Sequence, residues 1–379
     1  MDGDTLALVP YPSNRLFIPK TLPAAVRHER ELFHDIAVAW VTAFPGSAEA
    51  LEALALSLDM LGDPSAVDSL HRARILAAAE PERVRIAGAE FWMRLRFSVP
   101  FDTRGTQAAK ALADSLLSTN FAADTPEPLL LASIAVATGR ANLAADFTRR
   151  PAAVEALRVP PPLARIAGPL LVFSALAGPL DSVRTLEAQT AATIENAIAA
   201  PQQIRARMSW LGRAGQLAFP DYKFESLPLL AGHGDYMIDA QVAFLRADSA
   251  AVRQMFDERR VRRRDLPPGL VTLDAIYPEA ALLAAMGDTR GAVAWLDPTL
   301  AALFTVSTEK LADPANAGAL LRAMMLRADL ASQLGDLSTA ARWAHAVVAL
   351  WSGGDPAVQP VVNRMQRLAE LSQHQNTVQ

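Results

Sequence analysis

Two stretches, AMGDTRGAVAWL at 285–296 and QLGDLSTAARWA at 333–344, decide how the fold is interpreted. In each, an Ala-rich apolar run ends in a Gly-Asp pair, at Gly287 and at Gly335, and a second apolar run follows. Glycine readily adopts the left-handed conformation that ends a helix, and aspartate accepts hydrogen bonds from the free N–H groups that begin the next helix. Each stretch therefore predicts two helices joined by a tight turn.

Similar turns recur along the chain. The segment LGDP around Gly62 predicts such a turn. Ser47 is placed to cap the start of the helix that ends at this turn. Further marks fall at Gly139, Gly178, Gly212, Ala247, Gly287 and Gly335, at intervals of 34 to 48 residues. One pair of helices per interval of this length is typical of an α-solenoid.

The pattern resembles the tetratricopeptide repeat family. The resemblance rests on small residues where two helices would cross and on a bulky residue one turn later: Ala284, Gly287, Ala292 and Leu296, then Ala331, Gly335, Ala340 and Trp343. It covers residues 24–372 and implies an all-α fold, an array of antiparallel helical hairpins forming a superhelix. The chain departs from the family in its irregular repeat lengths and in lacking a regular helix-opening Trp.

Apolar periodicity supports the helical interpretation from the first element onward. Between Ala24 and Phe44, apolar residues recur at three- and four-residue steps, which places them on one face of a helix. They are Val26, Leu32, Phe33, Ile36, Ala37, Trp40, Val41 and Phe44. We expect the aromatic residues of the later segments to be core residues: Phe91, Trp92, Trp210, Trp295 and Trp351.

Prolines and glycines divide the chain. We predict an extended N-terminal arm over 1–23, a first set of helical repeats over 24–159 and a second over 160–379, as one continuous solenoid. The three prolines of 160–162 predict a non-helical break, and 218–236 a long connection.

The arm is the better candidate for a protein contact, since its apolar residues have to be buried against the helices or against another chain. They are Tyr11, Leu16, Phe17 and Ile18.

Composition excludes several functional classes. The chain has 379 residues, of which 51% are hydrophobic, a formal net charge of −4 and no cysteine. The absence of cysteine excludes disulfides, thiolate metal sites and a cysteine nucleophile. Only four of the 36 basic residues are Lys, a bias typical of high-GC bacterial genomes.

The N-terminal residues lack the basic and apolar regions of a signal peptide, and the most apolar segment, 166–180, is too short to span a bilayer. We expect a soluble or peripheral protein without a transmembrane segment. It would be cytoplasmic by default, or periplasmic if a signal peptide was removed before residue 1.

No catalytic motif is found. The sequence lacks a P-loop, a G-x-S-x-G elbow and an H-E-x-x-H motif, and we expect no catalytic residue, cofactor or metal. The nearest approach to a site is HERELFHD at 28–35, where Glu31, His34 and Asp35 lie close in sequence. His28 and His34 diverge by about 120° on a helix and cannot share one ion.

Five arginines at 259–264 remain as a possible binding signal: Arg259, Arg260, Arg262, Arg263 and Arg264. Cations are favoured near a helix C-terminus, and acidic residues lie among them. We interpret them as a solvated helix end that docks on an acidic protein surface or lipid headgroups, with nucleic acid as the less favoured partner.

The preferred function is a non-catalytic helical-repeat scaffold or accessory subunit that binds other protein subunits in a larger bacterial complex. A membrane-extrinsic subunit on the surface of a photosynthetic or respiratory complex is one setting that suits such a chain. The first alternative is an enzyme or small-molecule sensor with a site in the concave groove. The second is nucleic-acid binding through the arginines at 259–264.

Overall fold

The computed structural model of the chain describes residues 22–118, 127–176, 179–263 and 271–376. These residues form helices joined by short turns, with no β-strand among them, and the predicted all-α class is confirmed. The first eleven α-helices are α1 Leu22–Ala43, α2 Ala48–Leu61, α3 Ala66–Leu76, α4 Glu80–Ser98, α5 Thr103–Leu117, α6 Pro128–Ala137, α7 Ala141–Thr148, α8 Pro151–Ala156, α9 Pro161–Ala175, α10 Leu180–Ala197 and α11 Ala200–Arg207.

The second half begins with a π-helical turn at Met208–Gly212, which leads from α11 into α12. The remaining α-helices are α12 Arg213–Ala218, α13 Leu227–Leu230, α14 Tyr236–Leu245, α15 Ser249–Arg263, α16 Leu273–Ala285, α17 Thr289–Ala301, α18 Thr308–Leu311, α19 Pro314–Gln333, α20 Leu337–Trp351 and α21 Gln359–Asn376. Short 3-10 turns lie at Leu303–Thr305 and Pro356–Val358.

Most of the predicted turns are confirmed by their backbone conformation. The four marks Gly62, Gly139, Gly287 and Gly335 have φ between +72° and +82°, in the left-handed region where glycine is favoured. The turn without glycine is also left-handed, with φ +60° at Ala247. At these five positions, the predicted turns therefore do connect one helix to the next.

Two details of the sequence interpretation are wrong. Gly212 has φ −60° and lies inside a continuous helical run, where its lack of a Cβ leaves room for the side chain of Ile238. A non-helical break does separate α8 from α9 at 157–160, but Pro161 and Pro162 are helical and begin α9, because N–H groups of a first turn have no intrahelical partner. The mark at Gly178 lies outside the described residues.

Helices α1–α5 form an N-terminal stack in which each helix contacts the next along the chain. Arg30 of α1 donates to the carbonyl of Met60 at the far end of α2, 2.9 Å away, so α1 and α2 run antiparallel. Glu52 and Asp59 of α2 pair in the same order with Arg85 and Arg96 of α4. Helices α2 and α4 are therefore parallel, with partners 33 and 37 residues apart.

The stack has a small core of its own. Leu51, Leu70, Ile86 and Met93 are fully buried between α2, α3 and α4, and they belong to a cluster separate from the main hydrophobic core. The main core extends from α4 to α21. The first three helices therefore depend mainly on their own neighbours for burial.

Helix α19 packs differently. It contacts its neighbours in the chain, α17, α20 and α21, and it also contacts α6, α9 and α16. At its crossing with α9, Gly318 lies so close to Ala175 that an added Cβ would be 3.1 Å from both the Cα and the carbonyl oxygen of Ala175. Contacts between residues this far apart in sequence depart from the nearest-neighbour packing of an open solenoid.

A buried polar cluster joins α19 to the connection after α12. Arg322 is 4% exposed and donates from Nε to the hydroxyl of Tyr277, 2.6 Å away, and from Nη2 to Asp221. The Tyr277 hydroxyl donates in turn to the carbonyl of Phe219, 2.9 Å away. Burial raises the pKa of Tyr277, so the phenol stays protonated and serves as donor and acceptor at once.

Among the residues described, no helix is both long enough and apolar enough to cross a bilayer.

Candidate interaction surface

The outer facet of α1 is the clearest exposed apolar surface among the described residues. We define it by Leu32, Ile36, Trp40 and Phe44, which recur every four residues and are 41%, 52%, 42% and 60% exposed. The adjoining part of the same apolar face packs on α2 through Ala37, which is 1% exposed. Helix α1 thus has one broad apolar face, of which only half is covered by described residues.

Two small residues complete the outer facet. Ala39 and Ala43 are exposed between the large side chains, so large and small residues alternate as they do at a packed helix crossing. Carboxylates lie along its border, because Glu29, Glu31 and Asp35 are exposed on the same helix. Charged borders around an apolar centre are typical of surfaces that bind another protein segment.

The sequence identified the residues of the outer facet as apolar positions of one helix face, but it did not show that they form an exposed surface. The three- and four-residue spacing correctly placed Leu32, Ile36 and Trp40 on one apolar face together with Ala37 and Val41. The missed signal is the width of that face, since these residues cover about half of the helix circumference. A face so broad needs two neighbours, whereas among the described helices α1 has one large contact, with α2.

The predicted arm contacts cannot be placed. Tyr11, Leu16, Phe17 and Ile18 lie outside the described residues, and so does Arg264. The other four arginines of the cluster lie on the last turns of α15.

The structure divides these four arginines into two pairs. Arg263 is only 11% exposed and pairs through both terminal nitrogens with the carboxylate of Glu279, at 2.6 Å for Nη2 to Oε1. Arg259 lies 3.8 Å from the same carboxylate. Arg260 and Arg262 face outward.

An aromatic floor lies under the arginines. The Trp295 ring is 5.4 Å from the guanidinium of Arg263 and 5.8 Å from that of Arg260, and its Nε1 donates to Glu279. Burial raises the pKa of Glu279, and the Trp295 hydrogen bond opposes that effect. The expectation of a solvated helix end is therefore wrong for Arg259 and Arg263, which join α15 to the buried Glu279 of α16.

A polar groove of about 480 Å³ lies where three helices begin. Asp235 and Asp313 accept from the first N–H groups of α14 and α19, and Asp274 lies in the first turn of α16. Arg213 donates to Asp274 at 2.9 Å and to Asp313 at 2.8 Å. Burial acts to lower the pKa of Arg213, but the carboxylates of Asp313 and Asp274 outweigh it and raise that pKa, so the guanidinium stays charged.

Several polar groups of the groove have bonding capacity left. Asn316 is 6% exposed and accepts at Oδ1 from the Asp274 N–H, and Gln216 is 8% exposed and donates to Asp235. The Thr272 hydroxyl is buried with no hydrogen-bond partner. Ion pairs and helix capping account for most of the charged groups here.

The residues of HERELFHD do not converge on a site. His34 Nδ1 lies 3.1 Å from the Ser57 hydroxyl, whereas Glu31 and Asp35 point to solvent. Within the described ranges, no group of three His, Asp or Glu side chains is placed to hold a metal ion. The aromatic residues expected in the core are there, with Phe91, Trp92 and Trp351 fully buried, Trp210 8% exposed and Trp295 partly buried.

Comparisons with known proteins leave the surface as the basis for a functional argument. No protein-family model matches the chain, and neither a curated protein nor a solved structure is significantly similar to it.

Proposed function

We propose that the chain is a non-catalytic scaffold of tetratricopeptide-like helical hairpins that binds other protein subunits through the outer facet of α1. The observation that carries this proposal is the row Leu32, Ile36, Trp40 and Phe44, which is apolar and half exposed on the first helix of the N-terminal stack. Terminal units of a helical stack normally have a polar outer face. An apolar one is typical of a surface that another protein segment covers.

The geometry of the stack supports the hairpin part of the proposal. Helices α1 and α2 are antiparallel, and α2 and α4 are parallel with ion pairs 33 and 37 residues apart. A parallel return after about 34 residues is what one helical hairpin per repeat requires. The proposal applies to α1–α5 and to the Gly-turn pairs α16–α17 and α19–α20, while α19 also forms the long-range contacts described above.

The size of the facet limits what it can bind alone. Burying a large apolar side chain completely stabilises a complex by about 1.5–3 kcal/mol, so these four half-exposed residues contribute roughly 3–6 kcal/mol. Association of two free molecules costs about 4–15 kcal/mol in lost freedom. A stable partner must therefore contact a wider area, such as a subunit surface, or must be tethered.

Affinity purification from cells that express the protein tests the proposal. Wild type is compared with Ile36→Asp, which puts a charge in the facet, and with Leu229→Asp, a matched control at a residue 68% exposed on α13. We expect a reproducible set of subunits to co-purify with wild type and the control and to be lost with Ile36→Asp. Subunits of a membrane complex in that set would support the membrane-extrinsic setting.

Two outcomes would refute the scaffold. One is a wild-type chain that is isolated alone, and the other is a co-purifying set that Ile36→Asp leaves unchanged.

The polar groove favours a second candidate, a sensor of a small polar ligand. The observation in its favour is the unpaired Thr272 hydroxyl beside the buried Asn316 and Gln216. Native mass spectrometry of the purified protein checks it, since a ligand in the groove adds a discrete mass that Asn316→Leu abolishes. A spectrum of the bare chain in all preparations would refute the sensor.

A further inference from the structure

Four segments that are far apart in sequence build the polar groove. Helix α12 contributes Arg213 and Gln216, which lie on one side of the helix because they are three residues apart. The starts of α14, α16 and α19 contribute Asp235, Asp274 and Asp313. Since Arg213 pairs with both Asp274 and Asp313, the ion pairs fix α12, α16 and α19 relative to one another. The groove also borders the π-helical turn, and turns of this kind are frequent at functional sites.

Three neutral side chains on the wall of the groove have bonding capacity that the described residues do not use. Asn316 accepts from the Asp274 N–H at Oδ1, which leaves its Nδ2 as a donor with no acceptor in the described part of the chain. Gln216 donates from Nε2 to Asp235, 2.9 Å away, which leaves its Oε1 as an acceptor without a donor there. The Thr272 hydroxyl is buried, and no described residue bonds to it.

Unused bonds at such positions point to a bound molecule. Asn316 and Gln216 are more than nine-tenths buried, and nearly all buried polar groups in proteins have a hydrogen-bond partner. Leaving one of these bonds unmade costs about 1–3 kcal/mol. A ligand in the groove would recover part of that cost for several groups at once.

The charges of the groove offer little net attraction for an ion. Three carboxylates face one guanidinium, which is an excess of two formal negative charges. The three helix N-termini that meet here oppose this excess with about half a positive charge each. A cation would also approach Arg213, and an anion would approach the three carboxylates. A charged ligand would therefore lose its hydration for little electrostatic gain, which favours a neutral ligand.

A neutral ligand has to supply both donors and acceptors to this wall. Asn316 Nδ2 requires an acceptor, Gln216 Oε1 requires a donor, and the Thr272 hydroxyl serves as either. A hydroxyl group donates and accepts through a single oxygen, so adjacent hydroxyls of one molecule match such a mixed set of groups. Met208 lines the same groove and provides an apolar contact for the C–H groups of a ring.

We propose that the polar groove binds a small neutral polyhydroxylated compound of the size of a monosaccharide or a cyclic polyol. Its hydroxyls accept from Asn316, donate to Gln216 and exchange a hydrogen bond with Thr272. The groove volume of about 480 Å³ lies within the range of small-molecule sites, roughly 300–1,000 Å³. This proposal rests on the sensor candidate, for which it names the ligand class, and it is independent of the outer facet of α1.

Ligand-observed NMR with the full chain tests the ligand class. Three probes share one ring and differ in charge: D-glucose is neutral, D-glucosamine has an ammonium group and D-glucuronate has a carboxylate. D-Ribose, D-galactose and myo-inositol extend the neutral set to other arrangements of hydroxyls. We expect at least one neutral probe to bind, with an affinity about tenfold or more above that of either charged probe.

Two variants locate the binding in the groove. Thr272→Val removes one hydroxyl at nearly constant shape and should weaken the binding of the neutral probe about 3- to 10-fold. Asn316→Leu removes the Nδ2 donor and should abolish binding. The matched control is Thr190→Val, which removes another buried hydroxyl that no described residue bonds, on α10 and outside the groove. Neither valine variant should lower the free energy of unfolding, because the lost hydroxyl had no partner.

Three results would overturn the proposal. They are a wild-type protein that binds none of the neutral probes at millimolar concentrations, a charged probe that binds more tightly than every neutral one, and a Thr272→Val protein that binds as well as Thr190→Val.

Native mass spectrometry of protein purified from cells separates this proposal from the sensor candidate. A charged metabolite that is bound there and lost with Asn316→Leu would support the sensor and overturn the neutral ligand class. A bare chain from every preparation, together with sugar binding in the NMR experiment, would refute the sensor and leave the binding chemistry of the groove intact.

Discussion

At the close crossing of α9 and α19, we predict that replacing a glycine by alanine destabilises the protein, although helix propensity alone predicts stabilisation. Gly318 lies inside α19, and replacing an interior helix glycine by alanine normally stabilises a protein by about 1 kcal/mol. Here the new Cβ would be 3.1 Å from the Cα and the carbonyl oxygen of Ala175 and closer still to its Cβ. Backbone atoms cannot rotate away, so the two helices must separate.

The magnitude follows from these opposing effects. Overpacking of a close-packed core costs about 1–3 kcal/mol, and separating the helices also loosens the contacts on both sides of the crossing. After the gain of about 1 kcal/mol in helix propensity, we expect Gly318→Ala to lower the free energy of unfolding by up to about 2 kcal/mol. Gly318→Val should lower it further, since its branched side chain extends beyond the Cβ.

Urea unfolding followed by circular dichroism, with linear extrapolation to water, measures the change. The companion variant is Ala175→Gly, which costs about 1 kcal/mol alone because it puts a glycine at the end of α9. Combined with Gly318→Ala it removes the Cβ-to-Cβ clash, so the double variant should be more stable than the sum of the single effects predicts. A Gly318→Ala protein that is more stable than wild type, with additive effects in the double variant, would refute the crossing.

Three further predictions use the same unfolding measurement. Asp336→Ala removes the N-terminal cap of α20 and should lower the free energy of unfolding by about 1 kcal/mol. Hydrogen bonding from Thr339 lowers the pKa of Asp336, so the cap contributes its full stability at neutral pH and loses it as the pH falls through the folded-state pKa. Asp336→Asn should keep the cap without that pH dependence. Arg263→Met leaves the buried Glu279 without its main partner and should lower the free energy of unfolding by about 3–5 kcal/mol. Arg262→Met, at an exposed position, should change it by less than about 0.5 kcal/mol. Equal effects of the two variants would contradict the division of the cluster into inward- and outward-facing arginines. Tyr277→Phe should cost about 1–3 kcal/mol because it removes one donor and one acceptor from a buried cluster, and an unchanged midpoint would contradict the hydrogen bonds assigned to that hydroxyl.

The local parts of the fold could be predicted because they depend on neighbouring residues. A left-handed glycine, a capping serine or aspartate and the apolar spacing of a helix are each set within a few positions, as at Ser47 and Gly62. Gly212 was misassigned because glycine in a turn and glycine at a close contact look alike in sequence. In the structure, the helical φ of Gly212 and the side chain of Ile238 packed against it distinguish the two.

The candidate surface could be predicted only in part, because exposure depends on which neighbours are present. Periodicity identified Leu32, Ile36 and Trp40 as one apolar face but could not show which half of it α2 covers. The arginines illustrate the same limit. Their charge pattern indicated a helix end, whereas the direction of Arg263 is decided by Glu279, sixteen residues away on another helix.

The position of α19 has a consequence for biosynthesis. The surface of α6 and α9 that receives this helix is complete once residue 175 has been made, but the end of α19 follows about 160 residues later. At roughly 5–20 residues per second, a ribosome needs on the order of 10–30 s to supply it. During that interval the growing chain presents an unfilled apolar site, which a chaperone can hold and an internal segment of the nascent chain can occupy wrongly. Expression conditions that shorten this exposure should therefore raise the yield of soluble protein. We expect the gain to be larger than for a helical stack in which each helix is covered by the next one along the chain.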